Sequence, residues 1–498
     1  MNANEFREFG RAAVDFMADY LENIRDREVL PSVHTGYLSE LLPDEIPEKA
    51  EDWREIMQDM HKFILPGITH WQSPNFHAYF MSACSYPSMI GELLSAGFSV
   101  IGFNWWASPA CTELEVITMD WLGKFLGLPE EFLNCHDGPG GGVIQGSASE
   151  SVLIAMLAAR EQMVRRMREE QPHVSESDIR GRLVAYTSDQ SNSCVEKSGI
   201  LSAIPIRLLT TDAKCALRGD ILKEAIEKDL EIGKMPTVCV VSLGTTGSCA
   251  FDNIEEVGKV CQEYNMWLHI DAAYAGAALC CPEYRHIING IELADSFNFN
   301  LHKWMMVNFD CCAMWVKNAD LLVEAFNVER IYLQNHFQGQ QKAPDYRHWQ
   351  IPLGRRFRAL KVWITLRTVG AEGIRSKIRH HISLAQYFKT LVTSDDRFEV
   401  IGESIFGLVC FRLRGECSFT KKLLKQITER KKLFMIHTTI HGKLVIRFAI
   451  CGYDPQLTDI DFAWKEILYC LKDIDYNPSE VQDKVCEKFS SMIVSERI

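Results

Sequence analysis

The sequence predicts an α/β protein: a large domain on a mainly parallel sheet with helices on both faces, followed by a smaller α+β domain. Two observations predict it. The middle of the chain alternates short β-rich runs with helical periodicity, which is how strands of a parallel sheet and their crossover helices read in sequence. After Gly354 that alternation gives way to a long helical stretch and then to a different grammar of short strands and helices.

Taken in order, the chain before about residue 85 is helical with proline breaks, and its first residues, MNANEFREFGRAAVDFMADYLENIRD, form an acidic amphipathic helix. Phe6, Phe9, Val14, Phe16 and Leu21 supply its apolar face, which is expected to pack against a second subunit. Strands are predicted over 182–187, 237–242, 266–271 and 295–299, with 311–317 pairing beside them. Helices are predicted over 149–169 and 254–264, the second announced by Asp252-Asn253 as an N-cap signal. In the C-terminal part, 398–401, 407–413 and the two segments flanking His441-Gly442 are the candidate strands. The resulting division is an N-terminal helical dimerisation segment over 1–85, a large domain over 86–360, a small α+β domain over 361–476 and a charged tail over 477–498.

Composition narrows the function classes. With 498 residues, 47% of them hydrophobic and 24% charged, the chain is long enough to bury a sizeable core. Its net charge of −13 disfavours nucleic acid and anionic membrane surfaces as partners and leaves small-molecule chemistry favoured. No apolar run of the signal-peptide kind occurs in the first residues, so a cytoplasmic location is expected. The longest uncharged stretch, Leu93 to Thr112, is broken by Asn104, Ser108 and Pro109; it reads as a buried or pocket-lining segment and not as a membrane span. The 17 cysteines, several in adjacent pairs such as Cys280-Cys281 and Cys311-Cys312, read mostly as small buried hydrophobes. With no CxxC pair and no HExxH, no metal site is expected.

Three segments carry chemistry. DGPGGGVIQGSASES, from Asp137 to Ser151, reads as a glycine-rich turn running into a helix, where backbone N–H groups approach an anion. It matches neither a dinucleotide fingerprint nor a lysine-bearing phosphate loop. The strand MWLHID ends on Asp271 ahead of AAYAG, which puts a carboxylate at the edge of the sheet where ligands of open α/β folds bind. The next strand runs into SFNFNLHKW and sets Lys303 at its exit. Each alone has an ordinary reading, as a plain turn, a turn-capping aspartate and a solvated lysine. One cofactor needs all three, an anion cradle, a carboxylate for a pyridinium nitrogen and an amine for a Schiff base, and that cofactor is pyridoxal 5'-phosphate.

Longer motifs in family order, NFHAYF, SPACTELE, GGGVIQGSASES, HIDAAYAG, NFNLHKW, VNFDC and WQIPLGRRFR, give the chain a resemblance to the group II pyridoxal-phosphate decarboxylases. Within that group it resembles animal aromatic-L-amino-acid decarboxylases and, most of all, insect 3,4-dihydroxyphenylacetaldehyde synthases. The resemblance runs from the N-terminal helix to about residue 475. It implies the fold-type-I architecture of aspartate aminotransferase, with a seven-stranded type of sheet, and a homodimer whose active sites are shared between subunits. It makes Lys303 the Schiff-base lysine and Asp271 the partner of the pyridine nitrogen, gives the phosphate to Ala148, Ser149, Asn300 and His302, and sets Thr246 close to the ring. It lines the substrate side chain with Trp71, Tyr79, Phe80, Ile101 and Phe103, and places Ser82 where amine-forming relatives have threonine. Met81 and Leu301 depart from the family's usual prolines.

The departure with most chemical content is Asn192 in TSDQSNSCVEKSG. The resemblance implies a ring-stacking histidine there in amine-forming relatives and asparagine in the insect aldehyde synthases, with Tyr332 in NVERIYL as the retained loop tyrosine. An amide neither stacks as an aromatic ring nor titrates near neutral pH. The implied reaction is decarboxylation with oxidative deamination of an aromatic L-amino acid, L-dopa foremost. O2 is the co-substrate, and the products are an aryl acetaldehyde, CO2, ammonia and hydrogen peroxide. The alternatives are a simple decarboxylase giving dopamine, tyramine or serotonin, and an inactive paralogue that only dimerises.

Overall fold

The computed structural model describes residues 1–328, 343–472, 474 and 476, so Tyr332 and the tail from Asn477 lie outside the described residues. The chain divides into two compact units. The first comprises Met1–Met81, Tyr387–Val400 and the chain from Phe411 onward; the second comprises Ser82–Gln386 and Ile401–Cys410.

A seven-stranded sheet organises the second unit. Its strands are β1 (Gly141–Gln145), β2 (Leu183–Ser188), β3 (Ile206–Leu209), β4 (Met235–Ser242), β5 (Trp267–Asp271), β6 (Ser296–Asn300) and β7 (Cys312–Val316). They lie in the order β1-β7-β6-β5-β4-β2-β3, with β7 antiparallel to both its neighbours and every other pairing parallel. Every residue of β2, β4, β5 and β6 is buried, as strands covered on both faces must be; β2 and β4 read as largely apolar runs in the sequence, while β5 and β6 alternate apolar with polar residues. The short edge strand β3 is half-exposed and escaped the pattern.

β1 corrects the sequence reading of the glycine-rich segment as a turn. Gly141 and Gly142 are strand residues, and a Cβ on Gly142 would lie 2.7 Å from Met119 Cε and 2.8 Å from the Trp315 ring. Glycine here permits close packing of a strand, and the bends of the segment lie on either side of it, at 137–139 and at Gly146-Ser147. The helix Ala148–Glu170 follows, capped by Ser147 Oγ, which accepts the Glu150 N–H at 3.3 Å. Its Val152, Ile154, Ala155 and Ala158 enter one core with Val238 and Val240 of β4 and Val195 of the helix Ser193–Ser202. The helix Ile254–Glu263 is capped by Asn253, as predicted.

The large apolar side chains of the uncharged stretch after Leu93 are mostly not buried, although Asn104, Cys111 and Thr112 are. The stretch continues the helix Tyr86–Phe98, and Leu93, Phe98, Ile101 and Trp106 are 51, 60, 60 and 69% exposed. An apolar run gives no indication of whether its own chain covers it.

In the first unit the helix Ala3–Glu22 starts with a reciprocal cap: Asn2 Oδ1 accepts the Glu5 N–H and Glu5 Oε2 accepts the Asn2 N–H. Its apolar face is partly used within the chain, since Phe9 stacks on Trp53 at 5.2 Å, Phe16 meets the His61 edge at 4.7 Å and Leu21 is buried. Phe6 and Val14 remain exposed. A second sheet has the order β10-β11-β9-β8, from β8 (Phe398–Ile401), β9 (Leu408–Leu413), β10 (Ile436–Ile440) and β11 (Lys443–Ala449). Its hairpin turns on His441-Gly442, both at positive φ, which suits the twist of a two-residue connection.

The long helical stretch after Gly354 is Arg358–Thr393, interrupted at Gly370. Of the free cysteines among the described residues, only Cys135 is exposed. Among those residues no helix is long and apolar enough to cross a membrane.

Candidate active site

Parallel strands end together, so the residues closing β4, β5 and β6 meet at one edge of the sheet. Ser242 and Asp271 are register partners at the ends of β4 and β5, and Asp271 pairs in turn with Asn298 of β6. Here lies a cavity of about 250 Å³, lined by residues of the second unit. It brings together Ala148, Ser149, Asn192, Thr246, Asp271, Asn300, His302 and Lys303, all candidates from the sequence. Ser147, Cys194, Ser242, Gly244, Thr245 and Ala273 also line it and were not foreseen. Their only signal was proximity, each being within two residues of a candidate or at a strand end.

One part of the cavity is built from donors. The first turn of the helix Ala148–Glu170 supplies the positive end of a helix dipole and leaves the Ser149 N–H without an acceptor among the described residues. Asn300 Oδ1 accepts the Ala148 N–H at 3.0 Å, which fixes the amide and leaves its Nδ2 to donate elsewhere. His302 Nδ1 accepts the Cys311 N–H at 2.9 Å, so the proton of the neutral ring sits on Nε2. Burial, reinforced by the neighbouring Lys303, lowers the His302 pKa to about 4 and keeps the ring neutral. Gly244 is at φ +81°, and a Cβ there would stand 2.7 Å from that of Ala275, so no other residue fits this turn.

The carboxylate of Asp271 is 6% exposed. Its Oδ1 accepts from the Ala273 N–H at 3.0 Å and from Asn298 Nδ2 at 3.2 Å, which leaves Oδ2 without a partner among the described residues. Ser242 Oγ is likewise buried with no hydrogen-bond partner among them. Lys303 is half-buried in the short helix Leu301–Trp304 that leaves β6. The neighbouring Trp304 anchors that helix: its ring stacks on Tyr274 at 4.6 Å and its Nε1–H donates to His381 Nδ1 at 2.9 Å.

Asn192 caps the helix Ser193–Ser202. Its Oδ1 accepts the Cys194 N–H at 3.0 Å while its Nδ2 donates to Thr246 Oγ1 at 2.9 Å. Burial, with Asp271 adding to it, pushes the Cys194 thiol up to about 12, so it stays uncharged beside the carboxylate. The set fits pyridoxal phosphate: donors without a carboxylate for the phosphate, one carboxylate oxygen for the ring nitrogen, an amine, and an orphaned hydroxyl that a bound group would satisfy.

The candidates for the substrate side chain do not gather in this cavity. Ser82 stands beside it in the chain's path, since the next residue, Ala83, donates its N–H to the His302 carbonyl at 2.6 Å. Ile101 and Phe103 belong to the same unit and do not line the cavity. In the first unit, Trp71 and Tyr79 stack at 5.7 Å, and Arg447 lies over the Phe80 ring at 5.1 Å. Tyr79 holds φ at +59°, a strained value for a tyrosine.

Residues 35–414 match the family model described as the pyridoxal-dependent decarboxylase conserved domain. The chain is 62% identical to the 3,4-dihydroxyphenylacetaldehyde synthase of Aedes aegypti, over 94% of this chain and 89% of that protein. It is 50% identical to the aromatic-L-amino-acid decarboxylase of Manduca sexta, over 94% of this chain and 92% of that protein. Its fold matches the crystal structure of Oryza sativa TDC with PLP and tryptamine at a TM-score of 0.91, with 35% identity over 95% of this chain and 99% of that one.

Proposed function

The chain belongs to the pyridoxal-dependent decarboxylase family, and from that premise we propose that it is an aldehyde synthase. L-Dopa, O2 and water would give 3,4-dihydroxyphenylacetaldehyde, CO2, ammonia and hydrogen peroxide. The observation that carries this reading is Asn192, an amide held between Thr246 and Cys194 at the wall of the cavity that holds Lys303 and Asp271.

When bound, pyridoxal phosphate supplies an electron-poor ring that accepts the electron pair released as CO2 leaves. The protein's part is orientation and control of protons. Asp271 Oδ2 would hold a proton at the ring nitrogen; the helix N-terminus at Ser149, Asn300 Nδ2 and His302 Nε2–H would bind the phosphate; and Lys303 would carry the cofactor covalently. Asn192 has no titratable proton to deliver to the substrate carbon, which favours its reaction with O2 over protonation. Trp71, Tyr79, Phe80, Ser82, Ile101 and Phe103 would receive the aromatic side chain, and Tyr332 would close over the site and donate a proton in the amine-forming reaction to which Asn192→His diverts the flux.

A homodimer with shared sites fits the same reading. Leu93, Phe98, Ile101 and Trp106 form an exposed apolar run whose burial by a second subunit would bring Ile101 and Phe103 to the partner's substrate. The cytoplasm is the proposed location. The test is a product balance on L-dopa in air, measuring aldehyde, amine, peroxide and consumed O2 per CO2 released. Aldehyde and peroxide in step with CO2 are expected; stoichiometric dopamine without O2 uptake would leave the simple decarboxylase in its place.

A further inference from the structure

β5 and β6 carry polar residues at alternate positions, Trp267, His269 and Asp271 on one and Ser296, Asn298 and Asn300 on the other, interleaved with Leu268, Ile270, Phe297 and Phe299. Alternation puts each polar set on one face of its strand, and the register pairs His269 with Ser296 and Asp271 with Asn298. His269, Ser296 and Asn298 have no exposed surface. Apolar side chains would fill such a place at less cost, because each buried polar group must find a partner.

The partners form one directed chain. Trp267 Nε1–H donates to Ser296 Oγ at 2.8 Å, and Ser296 Oγ lies 2.7 Å from His269 Nδ1. His269 Nε2 lies 2.8 Å from Asn298 Oδ1, and Asn298 Nδ2 donates to Asp271 Oδ1 at 3.2 Å. The anion at the end sets every direction. A carboxylate takes only donors, so Asn298 must present its amide N–H groups to Asp271 and its oxygen to His269. His269 must then carry its proton on Nε2, and the Ser296 hydroxyl donates to Nδ1. Burial lowers the His269 pKa to about 4, so this arrangement does not titrate near neutral pH.

We propose that His269 and Asn298 are positioning residues for Asp271: with the Ala273 N–H they fix the carboxylate through Oδ1, so that Oδ2 is held toward the ring nitrogen of the cofactor. The inference rests on the role given to Asp271 under the proposed function. A merely structural role would make the same bonds but would not be coupled to that carboxylate, and a double-mutant cycle separates the two cases.

The measurement is the rate at which the holoenzyme loses the visible absorbance of its cofactor when diluted into buffer containing a cofactor scavenger. His269→Leu and Asn298→Leu are expected to speed that loss about tenfold in the parent and less than about twofold in an Asp271→Asn background, the mark of residues acting through one network. His269→Gln, which keeps an N–H donor for Asn298 Oδ1, should restore retention to within about threefold of the parent. Ser296→Ala, which removes only the hydroxyl that sets the ring's proton, replaces His269→Leu should that variant fail to fold. Equal acceleration in both backgrounds, or none in the parent, overturns the inference while leaving Asp271 in its role. Unchanged retention in Asp271→Asn alone overturns the role of Asp271 and the inference with it.

Discussion

Asn192 Nδ2 donates to Thr246 Oγ1 at 2.9 Å, and its Oδ1 accepts the Cys194 N–H at 3.0 Å, so both ends of the amide are engaged inside the protein. The side chain is therefore a helix cap as well as a wall of the cavity. Histidine at 192 would bring a ring that stacks and relays a proton, and it would lose this cap.

Asn192→His is accordingly expected to divert much of the flux on L-dopa from aldehyde to dopamine. A difference of about 1.4 kcal/mol between competing barriers changes a product ratio tenfold. The same variant should lose about 1 kcal/mol of stability with its cap. Asn192→Ala separates the two effects: it loses the cap and gains no proton relay, so its product ratio should stay with the aldehyde. Amine and peroxide yields per CO2, with thermal unfolding alongside, check both.

Lys303→Ala should abolish turnover without unfolding the protein, because Trp304 anchors the short helix through Tyr274 and His381 independently of the lysine. Circular dichroism and thermal unfolding should resemble the parent, while CO2 release falls below detection. Ordinary turnover by a folded Lys303→Ala protein would sink the assignment of the lysine.

His77 predicts an acid limb of stability. It stacks on Phe448 at 3.7 Å, its Nδ1–H donates to the Ala449 carbonyl at 3.1 Å, and burial lowers its pKa to about 4. An unfolded histidine takes a proton near pH 6.5, so the contribution is complete above that pH and is lost as the pH falls through 4. At this one residue the loss is about 3 kcal/mol. Asp252 and Asp295, raised to about 6 by burial, act in the opposite sense, their contributions being lost as the pH rises through 6. The parent's profile mixes these, so the test is a difference: His77→Gln keeps a donor for Ala449 and should flatten the fall between pH 6.5 and 4. Parallel curves for parent and variant in thermal unfolding against pH would contradict it.

Leu93→Asp should weaken the proposed dimer while leaving the subunit folded, since the side chain is 51% exposed on the same apolar stretch as Phe98 and Ile101. Removal of about the first thirty residues should do the same and also cost stability, because Phe9 and Phe16 pack on Trp53 and His61 of their own chain. Sedimentation at several concentrations distinguishes the two cases, and an undisturbed dimer with Leu93→Asp would place the interface elsewhere.

The sequence by itself determined the parallel-sheet core and the cavity's chemistry. β2 and β4, covered on both faces, read as largely apolar runs, and Asp271, Asn300, His302 and Lys303 sit at strand exits that topology forces together. Asn253 as a helix cap and His441-Gly442 as a hairpin turn were legible because they are local. Tertiary structure alone decided the rest. Gly141 and Gly142 are strand and not turn, and their lack of side chains serves packing: Asn134 and Trp349 crowd the place of a Cβ at Gly141, and Met119 and Trp315 crowd it at Gly142. Leu93, Phe98 and Ile101 lie exposed because apolar character measures a preference for burial and does not say which surface provides it. The chain of bonds from Trp267 to Asp271 appears only when β5 and β6 are in register, since each link joins residues 27 or 29 positions apart and none leaves a mark on its own strand beyond a polar residue at every second place.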